Sequence, residues 1–292
     1  MKGNALRRIF LGDHGLRAGW SVLIFLSIYL LLDRVLTAAV RRVAWLHPTG
    51  PIPPGVALFS ECGALLVVLF ATWVMARIER RRVGSYGYRA DDAITRLCWG
   101  GVWGFACLSV LIGLLWKSGF LVFEGRPLDA GSAWGYAAAW AVVFLVVGLL
   151  EESLLRGYLQ FTVSRGIGFW WAAVVLSVAF ASWHLTNSGE SLLGLLSAGA
   201  GGFTFCISLW YTKSLWWAIG FHAGWDWGQS FFYGTSDSGL VVTGHLLTAR
   251  PVGPVLWSGG TVGPEGSLFL FPFLILLATG MWIWWGRLAK EG

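Results

Sequence analysis

The sequence is poor in charge. Asp, Glu, Lys and Arg make up 12% of its 292 residues, where soluble domains carry roughly 25%. The chain is 56% hydrophobic, with a mean hydropathy of +0.66. That leaves too little polar surface to cover a water-soluble core, so the composition excludes a soluble globular domain and implies an integral membrane protein. Cysteine is scarce too. Cys62, Cys98, Cys107 and Cys206 are scattered through apolar segments and no CxxC pair occurs. Neither a zinc ribbon nor a disulfide framework is therefore implied, and the thiols read as small buried apolar groups. There is no GxSxG elbow and no HExxH helix, which removes those serine- and zinc-hydrolase signatures. The lack of GxxxxGK[ST] argues against ATP-driven work. No cleavable signal peptide is evident: the first apolar run is about 20 residues long, spans by length, and lacks a small-residue cleavage site. Matched halves of the inverted-repeat transporter kind are missing as well.

Tryptophan is abundant, with 20 residues, and indole rings favour the membrane–water interface. The formal net charge is +6. In a chain of this class it reads as a topology signal, and no nucleic-acid partner is expected. Runs of about 20 apolar residues, the length that crosses a bilayer, predict an all-α polytopic bundle of about eight spans. They lie near 19–40, 56–76, 98–117, 133–155, 169–186, 191–211, 214–232 and 267–286. The whole chain, 1–292, reads as one membrane domain. Arg77, Arg80, Arg81, Arg82, Arg89 and Arg96 fall in one connection, and Arg165, Lys213, Arg287 and Lys290 fall at ends on the same side as the N-terminal Lys2, Arg7, Arg8 and Arg17. By the positive-inside rule that side, and both termini, are expected to be cytoplasmic. Arg41 and Arg42 are the exception. The stretch 233–266, rich in Gly, Ser, Thr and Pro, reads as an irregular outer loop and a candidate lid.

Ionisable groups inside spans mark function by default. Glu151, Glu152 and Arg156 follow an apolar run. On a helix Glu152 and Arg156 share a face at i,i+4 and can pair, while Glu151 points about 100° away. The plain alternative is that the fourth span ends at 150 and these charges are solvated. "AFASWHLTN" places Phe180 and His184 on one face; taken alone, such a histidine is more often a satisfied core residue. "WWAIGFHAGWDWGQSFF" sets His222 and Asp226 at i,i+4 in mid-span. Neighbouring spans tend to pack together, so Glu151, His184, His222 and Asp226 are expected around one cavity. A carboxylate and a histidine there can activate water, and a donor can stabilise an oxyanion. The same groups could instead ligate a metal, and spacing does not separate the two.

These three motifs resemble those of the CPBP family, also called the ABI or CAAX-protease family. EExxxR is matched by Glu151, Glu152 and Arg156, followed by Gly157–Tyr158–Leu159. FxxxH is matched by Phe180 and His184, and HxxxD by His222 and Asp226. The motifs cover roughly 146–232, and the family-like core about 98–232. The resemblance implies an intramembrane endopeptidase acting on a membrane-associated peptide or protein, with lipidated substrates among the candidates, in a bacterial-type cytoplasmic membrane. It implies that Glu151 and His184 hold and activate water, that His222 and Asp226 stabilise the oxyanion, and that Glu152 and Arg156 fix the helix end. The prenyl endopeptidases carry Asn where this chain has Asp226, so Asp226 must be protonated, orient His222 or bind metal. A divalent metal such as zinc, held by Glu151, His184, His222 and Asp226, stays an alternative. Two other functions fit the same residues: a non-catalytic immunity or scaffold protein of the same fold, and a proton- or metal-coupled transporter.

Overall fold

The computed structural model describes residues 9–12, 15–187 and 189–291. A short hairpin, β1 (Leu11–Gly12) with β2 (Gly15–Leu16), precedes the helices. These are α1 (Ala18–Val40), α2 (Pro54–Ile78), α3 (Ala93–Lys117), α4 (Ala130–Glu152), α5 (Gln160–Ile167), α6 (Phe169–His184), α7 (Leu192–Thr212), α8 (Trp216–Asp226) and α9 (Leu270–Glu291). Local chemistry sets their starts. Pro53 and Pro54 open α2 without needing the missing N–H. Asp129 caps α4 by accepting from the Gly131 and Ser132 amides, and Ser191 caps α7 by accepting from Gly194. Gly168, at φ +81°, makes the turn between α5 and α6.

Helices stand at all eight expected places, and the architecture is the expected all-α membrane bundle. Six of them are long and apolar enough to cross a bilayer; the count of eight spans rests on two shorter ones. α6 has 16 residues. α8 has 11 and is prolonged by a wide π-turn over Trp227–Phe232. The fourth span runs further than expected. α4 passes through a π-turn over Ser153–Leu159 and on into α5. Large apolar side chains such as Leu31, Leu66, Trp171, Leu276 and Trp284 are more than 60% exposed on the outside of the bundle, as lipid-facing positions should be.

Helices in lipid associate by close packing, because the tails are as apolar as leucine. The tightest seam joins α3 to α8. Gly100 and Gly104 on α3 face Gly220 and Gly224 on α8, and a Cβ at any of the four would run into backbone atoms of the other helix. On its other side α8 meets α4 at Gly148, where a Cβ would lie 2.9 Å from the Ile219 carbonyl. α8 is therefore held between two helices.

The connections collect at two faces. At one, Leu215 donates its amide to the Gly87 carbonyl, Trp216 its indole N–H to the Tyr88 carbonyl, and Arg96 to the Thr212 carbonyl. At the other, the stretch 233–266 is more ordered than its composition suggests. β4 (Thr248–Pro251) pairs antiparallel with β3 (Leu121–Gly125). Val242 bridges to Ile52, and the Thr243 carbonyl accepts from the Trp140 indole at 2.9 Å. The expectation of an irregular loop is thus corrected: its partners lie far away in sequence, where no local periodicity reports them.

Candidate active site

The π-turn at Ser153–Leu159 begins directly after Glu152, and the one at Trp227–Phe232 directly after Asp226. Such wide turns recur at functional sites. The first carries a non-helical residue, Gly157 (φ −79°, ψ −119°), and with it the chain buries Arg156 instead of releasing it to solvent. Glu152 and Arg156 are 0% and 1% exposed and pair at 3.0 Å. The guanidinium also lies over the Phe180 ring at 4.6 Å and near that of Phe205 at 5.6 Å, a cation–π arrangement suited to a buried arginine. Gly202 leaves room for it, since a Cβ there would strike the guanidinium.

His222 is the hub. Its Nδ1 lies 3.3 Å from Glu152 Oε1, and its Nε2 lies 3.5 Å from both Glu151 Oε2 and Asp226 Oδ2. Both ring nitrogens thus face carboxylates, and only the imidazolium can donate from both. The ring also stacks on Phe205 at 5.4 Å. His184 is arranged differently. Its Nδ1 stands 2.9 Å from the Phe180 carbonyl, an acceptor, so that nitrogen carries the proton and Nε2 keeps a lone pair. One oxygen of Glu151, Oε2, accepts no hydrogen bond in the protein, although His222 is within Coulombic reach.

Glu151, Phe180, His184, His222 and Asp226 line one cavity of about 230 Å³, with Glu152 and Arg156 behind its wall. The motif residues are therefore brought together. One pairing differs from expectation: the histidine nearest Glu151 is His222, and Glu152 supports His222 as well as Arg156. Asp226 sits beside His222 as an orienting partner would.

Wall residues not singled out from the sequence include Glu61 on α2, Asn187 after α6, and Asp237, Ser238 and Glu265 from the loop at 233–266. Glu61 had a readable signal, a lone acid within an apolar run. The loop residues had none. Glu265 accepts from the Trp225 indole at 3.0 Å and from the Ser238 hydroxyl at 2.9 Å, and Asp237 accepts from Ser230 at 3.0 Å. Burial, reinforced by the nearby Asp226 and Glu265, pushes the Asp237 carboxyl well above the ordinary aspartate range.

A metal was an alternative reading of the same residues. Among the described residues the one group whose ligand atoms lie mutually within 4.8 Å is Asp226, Asp237 and Glu265. These are three oxygen donors, a set suited to hard cations more than to zinc. Glu151, His184, His222 and Asp226 are not gathered within that distance of one another.

No curated protein matches the chain. The family model described as "Type II CAAX prenyl endopeptidase Rce1-like" matches residues 133–228, about a third of the chain. The match runs from the first turn of α4 into the second π-turn and contains all three motifs. The stretch that places Glu151, His184, His222 and Asp226 on one cavity is the part of the chain similar to the CAAX-protease (CPBP) family.

Proposed function

We propose that this membrane protein is an endopeptidase that hydrolyses a peptide bond inside the bilayer with a water activated by Glu151. The observation that carries the reading is the convergence of Glu151, His184 and His222 on one cavity within the helices. A water beside the unbonded oxygen of Glu151 gives up its proton to that carboxylate, with the lone pair of His184 Nε2 as a second acceptor that orients it. The water oxygen adds to the peptide carbonyl carbon. The oxyanion that forms is stabilised by the N–H of His222, whose positive charge Glu152 and Asp226 favour. Glu151 then returns the proton to the amide nitrogen, and the C–N bond breaks. Arg156 touches no reacting atom; it positions Glu152, and Glu152 positions His222.

The substrate is a membrane-associated peptide or protein segment, the whole chain forms one domain, and the arginine-rich face with both termini is cytoplasmic in a bacterial-type membrane. The test is digestion of a membrane-protein peptide library by purified protein in detergent, read by mass spectrometry. Wild type is expected to cleave, and Glu151→Gln to lower the rate by about 10²–10⁴-fold while remaining folded. Wild-type rates in the variant would sink the mechanism. An inert wild type would favour the non-catalytic scaffold.

A further inference from the structure

Carboxyl groups crowd the walls of the cavity. Glu61, Glu151, Asp226, Asp237 and Glu265 line it, and among the described residues no lysine or arginine does. The nearest guanidinium, Arg156, is engaged by Glu152 and stacked on Phe180, out of the lining. Of the two histidines, His222 is already faced by three carboxylates, and the Nδ1 of His184 is taken by the Phe180 carbonyl. A free C-terminal carboxylate entering here would lose its water and meet mostly carboxyl groups. A buried charge is tolerated only when it is paired, and this cavity offers it no strong partner. A lysine, an arginine or an amine would find several.

The direction of the cavity is fixed as well. Its lining runs from His222 to Asp237, Leu240 and Val242 of the outer loop and to Ile52 before α2. None of its residues comes from the connections at the opposite face. That opposite face holds Arg77, Arg80, Arg81, Arg82, Arg89, Arg96, Arg165 and Lys213, whereas the loop face has Arg41, Arg42, Lys117, Arg126 and Arg250, and Arg250 pairs with Glu124. The excess marks the arginine-rich face as cytoplasmic.

We infer that the cavity receives a positively charged peptide segment from the extracytoplasmic side of the membrane, and not a free carboxyl-terminal tail from the cytoplasm. This rests on the hydrolase reading for what happens after binding, but not for the binding itself.

Two measurements test it. In the first, Ser238→Cys is made in a background lacking the four native cysteines and labelled with a membrane-impermeant maleimide. Labelling in right-side-out vesicles and protection in inverted ones is expected; the reverse overturns the inference. In the second, fluorescent nonapeptides with a central Lys-Lys, Gln-Gln or Glu-Glu pair, each as C-terminal amide and free acid, are titrated onto wild-type protein in nanodiscs. The Lys-Lys amide is expected to bind at least tenfold more tightly than the Glu-Glu peptide and more tightly than its own free acid. Asp237→Asn with Glu265→Gln should shrink that preference severalfold. Equal affinities, preference for the free acid, or no binding at all would overturn the inference, and the wild-type series decides even if the double variant fails to fold. Charge-selective binding without cleavage of any peptide would remove the hydrolase reading and leave this one standing. Cleavage indifferent to charge would do the opposite.

Discussion

Helix α2 carries two acids with opposite surroundings. Glu79, just past its end at the arginine-rich face, is 4% exposed and saturated. It accepts from the hydroxyls of Tyr86 at 3.1 Å and Tyr158 at 2.9 Å and from Arg165 at 2.8 Å. Glu61, about five turns earlier on the same helix, faces the cavity among other carboxylates with no lysine or arginine beside it. The two ends teach how this chain uses acid. Where a carboxylate ties helices together its lone pairs are filled; where the cavity lies, carboxylates outnumber their partners, an arrangement that costs stability and leaves oxygens open to a ligand.

The sharpest way to break this comparison is at Arg156, the buried cation between the two regions. Arg156→Met strips Glu152 of its guanidinium partner and leaves it only His222, and breaking a buried ion pair by removing one partner costs about 3–5 kcal/mol. Denaturant unfolding in detergent should show that loss, and a variant as stable as wild type would mean that the pair is not structural. A smaller effect is expected at the saturated end. Glu79→Gln removes charged hydrogen bonds worth about 1.5–3 kcal/mol. Burial alone would raise the Glu79 carboxyl, but the neighbouring Ser21 hydroxyl and the bonds from Arg165 and Tyr158 outweigh it and hold the group below its ordinary 4.5. A lowered acid contributes stability above the unfolded value and loses it as pH falls. The gap between wild type and Glu79→Gln should therefore be full at pH 7 and close as pH drops below 4.5.

The smallest effect belongs to the cavity. Asp237 is an acid whose carboxyl is raised, so its contribution is present at low pH and lost as pH rises through the raised value. Asp237→Asn should stay within about 0.5 kcal/mol of wild type in mild acid. It should become the more stable of the two as pH rises, read as thermal midpoints across a pH series. A loss at pH 7 as large as that of Glu79→Gln would erase the distinction between the two regions.

The bundle was largely legible because apolar runs of spanning length leave few other folds open. Two features were not. The charges at 151–156 offered a choice between a buried group and a solvated helix end. What decides it, the π-turn and the stack of Arg156 on Phe180 and Phe205, depends on a ring contributed by α7. The glycine seam of α3 and α8 was visible as Gly100–Gly104 and Gly220–Gly224, yet two four-residue spacings become informative only when they face each other. The motif residues were readable as candidates from their position in apolar spans. Asp237 and Glu265 were not, since an acid in a polar loop gives no sign that the loop folds back over a cavity.

The α3–α8 seam also limits how the protein can move. Where backbone touches backbone there are no side chains to change rotamer, so small slips are blocked and the next register lies one four-residue step away, about 6 Å along the axis. Within its basin α8 acts as a fixed rail, and His222 keeps its address while anything that must open to admit or release a peptide opens around it.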